Sequence, residues 1–372
     1  MRAFFLACAL LLATIAPAQA HKPSDSYLSV DVQGKQVNGQ WDIALRDLDY
    51  AIGLDVNGDG QLSWDEVRAN HAAIAAYALA RLDLAVAAGP CPISADLQQL
   101  DHHTDGAYTV LRFHATCPQP VDKLVIGYRL FADIDPQHKG LLKLTNGAAT
   151  ATAIFSPDQA RQSIAVGGAD RLRQFGDYLR NGVWHIWIGF DHILFLLSLL
   201  LPAVLLTKAD GAQATIKSAF VDVLKVVTAF TVAHSLTLTA ASLHLLALPS
   251  RWVESAIALS VVLAALNNLV PLFRGRRALV AFAFGLIHGF GFASVLADLG
   301  LPQGALLLSL VGFNAGVELG QLAIVAGFLP LAWLLRRSWA YRQMLTGGSA
   351  LIAMVAAVWL VERAFDLKLI TT

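Results

Sequence analysis

Cysteine is scarce in this chain: the 372 residues include only three, and none follows Cys117. A metal site built from soft thiolate ligands is therefore excluded from the C-terminal two thirds of the chain. The chain also lacks a run of basic residues, so we do not expect nucleic acid as a partner. Neither an HExxH nor a GxSxG motif occurs, and we expect no enzymatic activity.

Charged side chains are also few, at 15% of the residues, whereas 56% are hydrophobic and the mean hydropathy is +0.55. These values lie above those of ordinary soluble proteins, so part of the chain is expected to lie in a membrane. The length leaves room for two domains.

The first twenty residues are typical of a secretory signal peptide. Arg2 precedes an apolar run over 3–16, and the small-x-small cleavage site is Ala18-Gln19-Ala20. The mature protein would then begin at His21. An uncleaved anchor helix is the alternative, but the apolar run is short for a membrane span.

Removal of Cys8 with the signal peptide leaves Cys91 and Cys117 as one pair. Because an exported segment meets an oxidising compartment, we predict a disulfide between them. Two buried free thiols are the alternative.

Short stretches of alternating apolar and polar residues are typical of strands. They cover 27–32, 36–45, 108–114, 124–131 and 149–155. Gly, Pro, Asn and Asp separate them. We therefore predict an all-β, sandwich-like exported domain of immunoglobulin size over 21–165.

One helical insertion, centred on residues 55–66, interrupts this pattern. Its residues match the ligand positions of an EF-hand loop in order: Asp55, Asn57, Asp59, Gln61 through its carbonyl, Ser63 and Glu66. Gly60 occupies the sharp turn and Leu62 the apolar position. We predict that the loop binds Ca²⁺ and stabilises the domain. A sensor role is not expected, because calcium sensors work by opening paired helices and this loop stands alone. A solvated acidic turn is the alternative.

Charge is divided unevenly along the chain. Residues 21–180 contain 14 basic and 19 acidic residues, whereas residues 181–372 contain 12 and 8. An acidic exported domain attracts cations. It is therefore suited to concentrate a metal ion or to receive one from a periplasmic metal-delivery protein.

Six apolar segments follow an amphipathic basic stretch, and each reaches the roughly 20 residues needed to span a bilayer. They cover residues 183–206, 220–243, 252–273, 278–298, 303–335 and 346–364. We predict an interfacial linker over 166–182 and a six-helix transmembrane domain over 183–372.

Orientation follows from the basic residues between these segments. If the β domain is exported, the loops that face the cytoplasm contain Lys208, Lys217, Arg274, Arg276, Arg277, Arg336, Arg337 and Arg342. The positive-inside rule expects this arrangement. The sequence therefore predicts a bacterial inner-membrane protein with a periplasmic N-terminal domain.

Polar and ionisable residues inside membrane segments are costly and usually functional. Asp191, His192, His234, His288, Asn314 and Glu318 all fall near the middle of a predicted span, so an up-and-down topology brings them to one depth. His185 precedes His192 by seven residues and is expected on the same helix face. His185 and Glu254 both lie near the outer ends of their predicted spans. We predict that these eight residues form a metal site. Each histidine taken alone could equally be a hydrogen-bonded packing residue.

Glycines recur every fourth residue around these positions, at Gly312, Gly316 and Gly320, and at Gly285 and Gly289. Small residues at this spacing allow close helix approach. We expect the fourth and fifth segments to pack against each other there, and the run from 289 to 291 to unwind locally.

His185-x5-Asp191-His192 resembles the HxxxxxDH signature of HupE/UreJ-type nickel transporters. His288-Gly289 and the stretch from Asn314 to Glu318 are similar to pieces of a later motif of that family. The resemblance covers residues 181–364, and the exported domain looks like that of a longer branch of the superfamily. It implies transport of a divalent metal, with His185, Asp191, His192, His288 and Glu318 as candidate ligands.

The mature N-terminus would offer the α-amine and imidazole of His21, a combination suited to copper. An unconstrained terminal residue is the alternative, and it is favoured because chain termini are usually poorly ordered. Imidazole and carboxylate ligands in the membrane suit nickel, cobalt, zinc or copper(II) as the transported ion. Two alternatives remain at this point: a membrane haem or metal redox protein that uses two of His192, His234 and His288, and a metal-dependent membrane hydrolase with Glu318 as base.

Overall fold

A computed structural model describes residues 25–103, 106–168, 170–205, 215–246, 248–273, 275–293, 299 and 301–365. The predicted signal peptide and His21 lie outside the described residues. So do Lys208 and Arg274.

The N-terminal part is built from ten strands: β1 (Asp25–Gln33), β2 (Gln36–Ala44), β3 (Leu82–Val86), β4 (Gly89–Pro90), β5 (Ile93–His103), β6 (Gly106–Thr116), β7 (Lys123–Tyr128), β8 (Lys139–Asn146), β9 (Ala149–Phe155) and β10 (Arg161–Ala165). They form a six-stranded sheet in the order β5-β6-β2-β1-β8-β9 and a four-stranded sheet in the order β10-β7-β3-β4. β1 pairs antiparallel with β2 and parallel with β8.

The two sheets share one apolar core because alternate residues of each strand point inward. Trp41 of the larger sheet lies 5.4 Å from the ring of Tyr128 in the smaller one, centroid to centroid. A disulfide joins Cys91 to Cys117. The predicted β-sheet domain and the predicted disulfide are therefore present.

The insertion between β2 and β3 contains three short helices, α1 (Leu45–Ile52), α2 (Trp64–Ala69) and α3 (His71–Leu79). Ser63 and Glu66 form a capping box at the start of α2. The residues of the predicted calcium loop thus connect α1 to α2.

The C-terminal part is helical: α4 (Arg171–Ile188), α5 (Phe190–Leu200), α6 (Ile216–Ser242), α7 (Ser250–Leu269), α8 (Arg277–His288), α9 (Gln303–Leu335) and α10 (Trp339–Phe365). A 3₁₀ turn over Gly289–Phe292 follows α8. The α-helix therefore ends where local unwinding was expected, but through a turn that is wound more tightly. Most of the predicted linker is not a separate element, because α4 continues through it.

Among the described residues, three of the six predicted spans are helices long and apolar enough to cross a membrane, namely α7, α9 and α10. The bent pair of α4 and α5 adds a fourth if it counts as one span. α6 is 27 residues long but contains Lys217, Asp222 and Lys225. Arg277–Phe292 is apolar but short. Six spans therefore remain a prediction.

The glycine faces pack differently from the prediction. A Cβ on Gly316 would lie 2.0 Å from the Leu179 carbonyl oxygen of α4, and one on Gly289 would lie 2.1 Å from Thr237 Oγ1 of α6. The expectation that the fourth and fifth segments pack through their glycines is therefore wrong. α9 approaches α4 instead, and α8 approaches α6. The spacing of the glycines indicates that some helix packs closely there, but it does not specify which one.

The β domain rests on the helical domain. The outer face of its six-stranded sheet contributes Tyr27, Tyr108 and Leu141 to an apolar cluster that also contains Tyr178 of α4 and Leu310 of α9. The first residues of β1 and β8 thereby lie next to the helices that carry the candidate metal ligands.

Candidate metal centre

The first candidate ligands lie on both sides of a bend at Gly189, where α4 and α5 meet at 72°. A Cβ on Gly189 would lie 2.6 Å from His192 Nδ1 and 2.8 Å from the His185 carbonyl oxygen. Only glycine therefore fits this close approach. The bend places the rings of His185 and His192 4.6 Å apart, centroid to centroid. The expectation that they share one face of a continuous helix is wrong, because the bend, and not helical periodicity, brings them together.

Two further histidines complete the group. The ring of His288, the last residue of α8, lies 5.3 Å from that of His192. The ring of His234, in α6, lies 6.5 Å from that of His185. With metal–nitrogen bonds of about 2.1 Å, two imidazoles on one tetrahedral ion have centroids roughly 5 Å apart. The separations of His192 from His185 and from His288 lie near this value, whereas that of His234 from His185 is larger.

Three of these imidazoles are each held through one nitrogen. His192 Nδ1 lies 2.9 Å from Asp191 Oδ1, His234 Nδ1 lies 3.2 Å from Asn314 Oδ1, and His288 Nε2 lies 2.9 Å from Ser260 Oγ. Metal-binding histidines typically use one nitrogen in this way to fix the ring.

The second nitrogen of each of these rings is buried and has no hydrogen-bond partner in the described part of the chain: His192 Nε2, His234 Nε2 and His288 Nδ1. Buried polar atoms are normally hydrogen-bonded, so an unpartnered one calls for an explanation. An imidazole nitrogen with a free lone pair is a metal ligand.

The three unpartnered imidazole nitrogens do not converge on one point. Among the described residues, no group of three or more His, Cys, Asp or Glu side chains is arranged to hold a metal ion. The rings would have to move towards one another to share a cation. The metal-binding role of the eight predicted residues therefore stays a prediction.

Asp191 has a second partner besides His192. Its Oδ2 lies 3.8 Å from Arg363 Nη2 of α10, and Arg363 Nη1 also donates to the backbone carbonyl of Glu254 over 3.3 Å. A cation from the chain itself thus already faces the carboxylate that orients His192.

The remaining predicted residues, Asn314 and Glu318, belong to a polar seam between α6 and α9. It consists of three side-chain pairs: His234 with Asn314 at 3.2 Å, Thr231 with Gln321 at 3.1 Å, and Thr228 with Glu318 at 3.0 Å. On α6 these residues recur every third position, and on α9 they lie at intervals of four and three, so each set follows one helix face. The structure does not bring Glu318 to the histidine group.

A cavity of about 180 Å³ lies beside the histidines. Its walls include the predicted residues His185, Asp191, His192, Glu254 and His288. Arg363 lies there too, and the β domain contributes Asp25, Gln137 and Lys139. The cavity thus spans the junction of the two domains.

Sequence reasoning missed several residues of this site: Asp25, Gln137, Lys139, Thr228, Thr231, Ser260, Gln321 and Arg363. For Gln321, its spacing of three from Glu318 was an available signal. For the three β-domain residues no such signal exists, since their position depends on how the domains pack.

The predicted calcium loop is ordered by its own side chains. Asp55 accepts hydrogen bonds from the amides of Gly58 and Gly60 at 2.7 and 2.8 Å, and both glycines have φ values above +70°. Glu66 accepts from the amide and the hydroxyl of Ser63 at 2.9 and 2.7 Å. These bonds lower the pKa of the Glu66 carboxyl.

The loop side chains Asn57 and Asp59 are held in the same way. The Asn57 side-chain oxygen accepts from the Asp59 amide, and Asp59 accepts from the amide of Gln61, both at 2.8 Å. The loop offers several oxygen atoms on one turn, which suits Ca²⁺.

A sequence model of the HupE / UreJ protein family matches residues 161–363, which is more than half of the chain. The chain belongs to the HupE / UreJ family. This family is associated with nickel and cobalt transport and is of transporter type. Together with the apolar helices, membership makes the chain a membrane protein. No curated protein matches it.

The family match begins at β10 and ends at Arg363, so it includes the bend at Gly189, all four histidines and the polar seam of this HupE / UreJ protein. The β domain up to β9 lies outside it. The family match therefore does not cover Asp25, Gln137 and Lys139, which belong to that part of the β domain.

Proposed function

We propose that this HupE / UreJ protein carries a divalent transition-metal ion inward across the bacterial inner membrane through its intramembrane histidine group. The observation that supports this most strongly is the set of three buried imidazole nitrogens without a hydrogen-bond partner among the described residues, each on a ring that a second side chain holds. Nitrogen and oxygen ligands suit nickel, cobalt, copper(II) or zinc. Family membership favours nickel or cobalt.

The route begins in the cavity at the domain junction. Carboxylates there attract a cation, and His185, His192 and His288 line the same walls. A mixed layer of imidazoles and carboxylates can bind an ion without trapping it, which conduction requires. Movement of the rings towards one another would bring the free nitrogens onto one ion.

The polar seam supplies the inward continuation. His234 belongs both to the histidine group and to the seam, which continues along α6 through Thr231 to Thr228 and along α9 through Glu318 to Gln321. Side-chain oxygens along otherwise apolar helices provide successive stations for a partly dehydrated cation. Glu318 would act here as an inner station and not as a direct neighbour of the histidines.

The exported domain completes this picture. In this proposal it lies in the periplasm, its 55–66 loop binds Ca²⁺ through Asp55, Asn57, Asp59, the Gln61 carbonyl, Ser63 and Glu66, and its acidic surface receives the ion, in some cells from a delivery protein. Ca²⁺ would add a cross-link between α1 and α2 at the edge of the domain. Copper binding by His21 stays a separate proposal.

The structure favours transport over the two alternatives. A haem needs a pocket on the order of several hundred Å³, whereas the cavity beside the histidines measures about 180 Å³. A hydrolase base should face the cavity, but Glu318 is not among its lining residues and is hydrogen-bonded to Thr228 instead.

Metal uptake by cells that contain equal amounts of the native chain and of His192→Ala, His234→Ala or His288→Ala variants tests the proposal. We expect nickel or cobalt uptake to fall to the background of cells without the protein in each variant. His244→Asn is the matched control, because His244 is exposed and has a positive φ that asparagine tolerates. Uptake by all three variants at the native rate would rule out the histidine pathway.

A further inference from the structure

The exported domain contributes a charge pair to the wall of the transport cavity. Asp25 is the first residue of β1 and Lys139 the first residue of β8, and the two are direct partners in the parallel register of these strands. Neighbouring strands lie about 4.8 Å apart, and partner residues point to the same face of the sheet. Both residues line the cavity that also contains His185 and Asp191.

This pair is not a typical surface ion pair. Only 6% of Asp25 is exposed, and burial lowers the pKa of Lys139 while the neighbouring Asp25 carboxylate opposes that change. Taking charged groups out of water is costly, and replacement by apolar residues of similar size often leaves stability unchanged or improved. A charge pair in which Asp25 is buried and Lys139 is half-buried is therefore poorly explained by stability alone.

Its position gives it an effect on any cation in the cavity. The cavity walls contain three carboxylates, Asp25, Asp191 and Glu254, against the two cations Lys139 and Arg363. Arg363 lies beside Asp191, whereas Lys139 and Asp25 come from the β domain. At short range, one unit charge changes the energy of a divalent ion.

We propose that Asp25 and Lys139 form a charge filter with which the exported domain sets the affinity of the transport cavity for divalent cations. This inference rests on the proposed transport function and extends it to the β domain. In it, Asp25 attracts the incoming ion and Lys139 weakens that attraction, so that the ion binds but also moves on to the histidines. A filter of this kind acts on the half-saturating concentration more than on the maximal rate.

Two neutralising substitutions test the filter, because it predicts opposite effects for the two partners of one pair. In vesicles that contain the purified full chain, Lys139→Gln should lower the half-saturating concentration for nickel(II) uptake about tenfold, and Asp25→Asn should raise it about tenfold. A unit charge roughly 6 Å from a dication changes the binding constant about tenfold at the dielectric constant of bulk water, so tenfold is the smallest change expected. Lys139→Met, which keeps the length of the side chain, should reproduce the effect of Lys139→Gln.

The matched controls are Asp122→Asn and Lys123→Gln, an exposed pair on the other sheet of the same domain, and neither should shift the curve. A purely structural pair would change uptake in the same direction when either partner is neutralised. If the native chain transports nickel but the two variants shift the half-saturating concentration in the same direction, or not at all, the charge filter is overturned and the proposed function stands. If the native chain itself fails to transport nickel or cobalt, the proposed function fails and the filter fails with it.

Discussion

Asp191 Oδ1 lies 2.9 Å from His192 Nδ1, and His192 Nε2 on the opposite side of the ring is buried without a partner in the described structure. The carboxylate thus fixes both the tautomer and the direction of the imidazole. With Nδ1 as the donor, the lone pair of Nε2 points away from Asp191 and is free for a metal ion.

Asp191→Asn should therefore weaken metal binding without unfolding the protein. The amide keeps the size of the side chain but loses the negative charge next to the ring, and changes of this type typically cost 10- to 100-fold in metal affinity. Equilibrium titration of the purified chain with nickel(II) measures the effect. Asp177→Asn, which removes a carboxylate of α4 outside the cavity walls, should bind nickel normally, and an equal loss in both variants would contradict the role of Asp191.

Gly189→Ala should abolish transport because the new Cβ would meet His192 Nδ1 at 2.6 Å and the His185 carbonyl oxygen at 2.8 Å. The bend must open, and the two rings separate. Gly176→Ala, on the same helix α4 and with nothing within 4 Å of its Cβ, should transport at the native rate and be slightly more stable, by about 0.5–1 kcal/mol. Native uptake by Gly189→Ala would show that the bend does not position the site.

The polar seam predicts a separation of binding from transport. The double variant Thr231→Val with Gln321→Leu replaces one hydrogen-bonded pair by apolar groups of similar shape, a change that is often nearly neutral for stability. It leaves the histidine group intact. We expect nickel(II) binding within about twofold of native and uptake reduced at least tenfold, because an apolar break interrupts the stations for the ion.

A second double variant controls for the loss of side-chain hydroxyls. Thr239→Val with Thr346→Val removes hydroxyls from α6 and α10 away from the seam and should leave uptake unchanged. Native uptake by the seam variant would place the inward route elsewhere.

The 55–66 loop predicts calcium-dependent stability. Ca²⁺ should raise the thermal unfolding temperature of the full chain, since an ion that binds only the folded state stabilises it by mass action. Glu66→Gln should remove this increase, and Asp65→Asn, next to it but outside the ligand positions, should retain it. An equal increase in both variants would contradict a calcium site at this loop.

The same loop predicts the direction of a pH effect. The bonds from Ser63 lower the pKa of Glu66, so the carboxylate stays ionised to a lower pH than a free glutamate does. A lowered folded-state pKa contributes stability that is present above the ordinary value and is lost as the pH falls through the lowered one. The calcium effect should therefore persist at neutral pH and decline only in acid, as unfolding scans at several pH values would show.

The sequence predicted much of the β domain and of the site because the relevant signals are local. Alternation identified β1, β2 and β9 almost to the residue, whereas β3, β4, β5, β8 and β10 went unrecognised. β8 reads KGLLKLTN, which does not alternate cleanly, since its first residues face a buried junction on one side and the core on the other. The histidine positions were found because imidazoles stand out in apolar helices.

The rest depended on packing between distant segments. Nothing in the spacing of Gly312, Gly316 and Gly320 specifies that they meet α4, because any close helix could occupy that face. Gly189 marks a bend only once its neighbours are known, and Lys139 reaches the cavity only because the sheet rests on the helices. Contacts of this kind follow from tertiary structure and not from periodicity.

The most direct test of the account is X-ray absorption spectroscopy of the purified full chain with one equivalent of nickel(II), which counts the imidazoles around the bound ion. We expect scattering from three imidazole rings in the native protein and from one ring fewer in each of His192→Ala, His234→Ala and His288→Ala that retains nickel. A spectrum without imidazole scattering, or one that is the same in the native chain and in all three variants, would contradict a cation site built from these histidines.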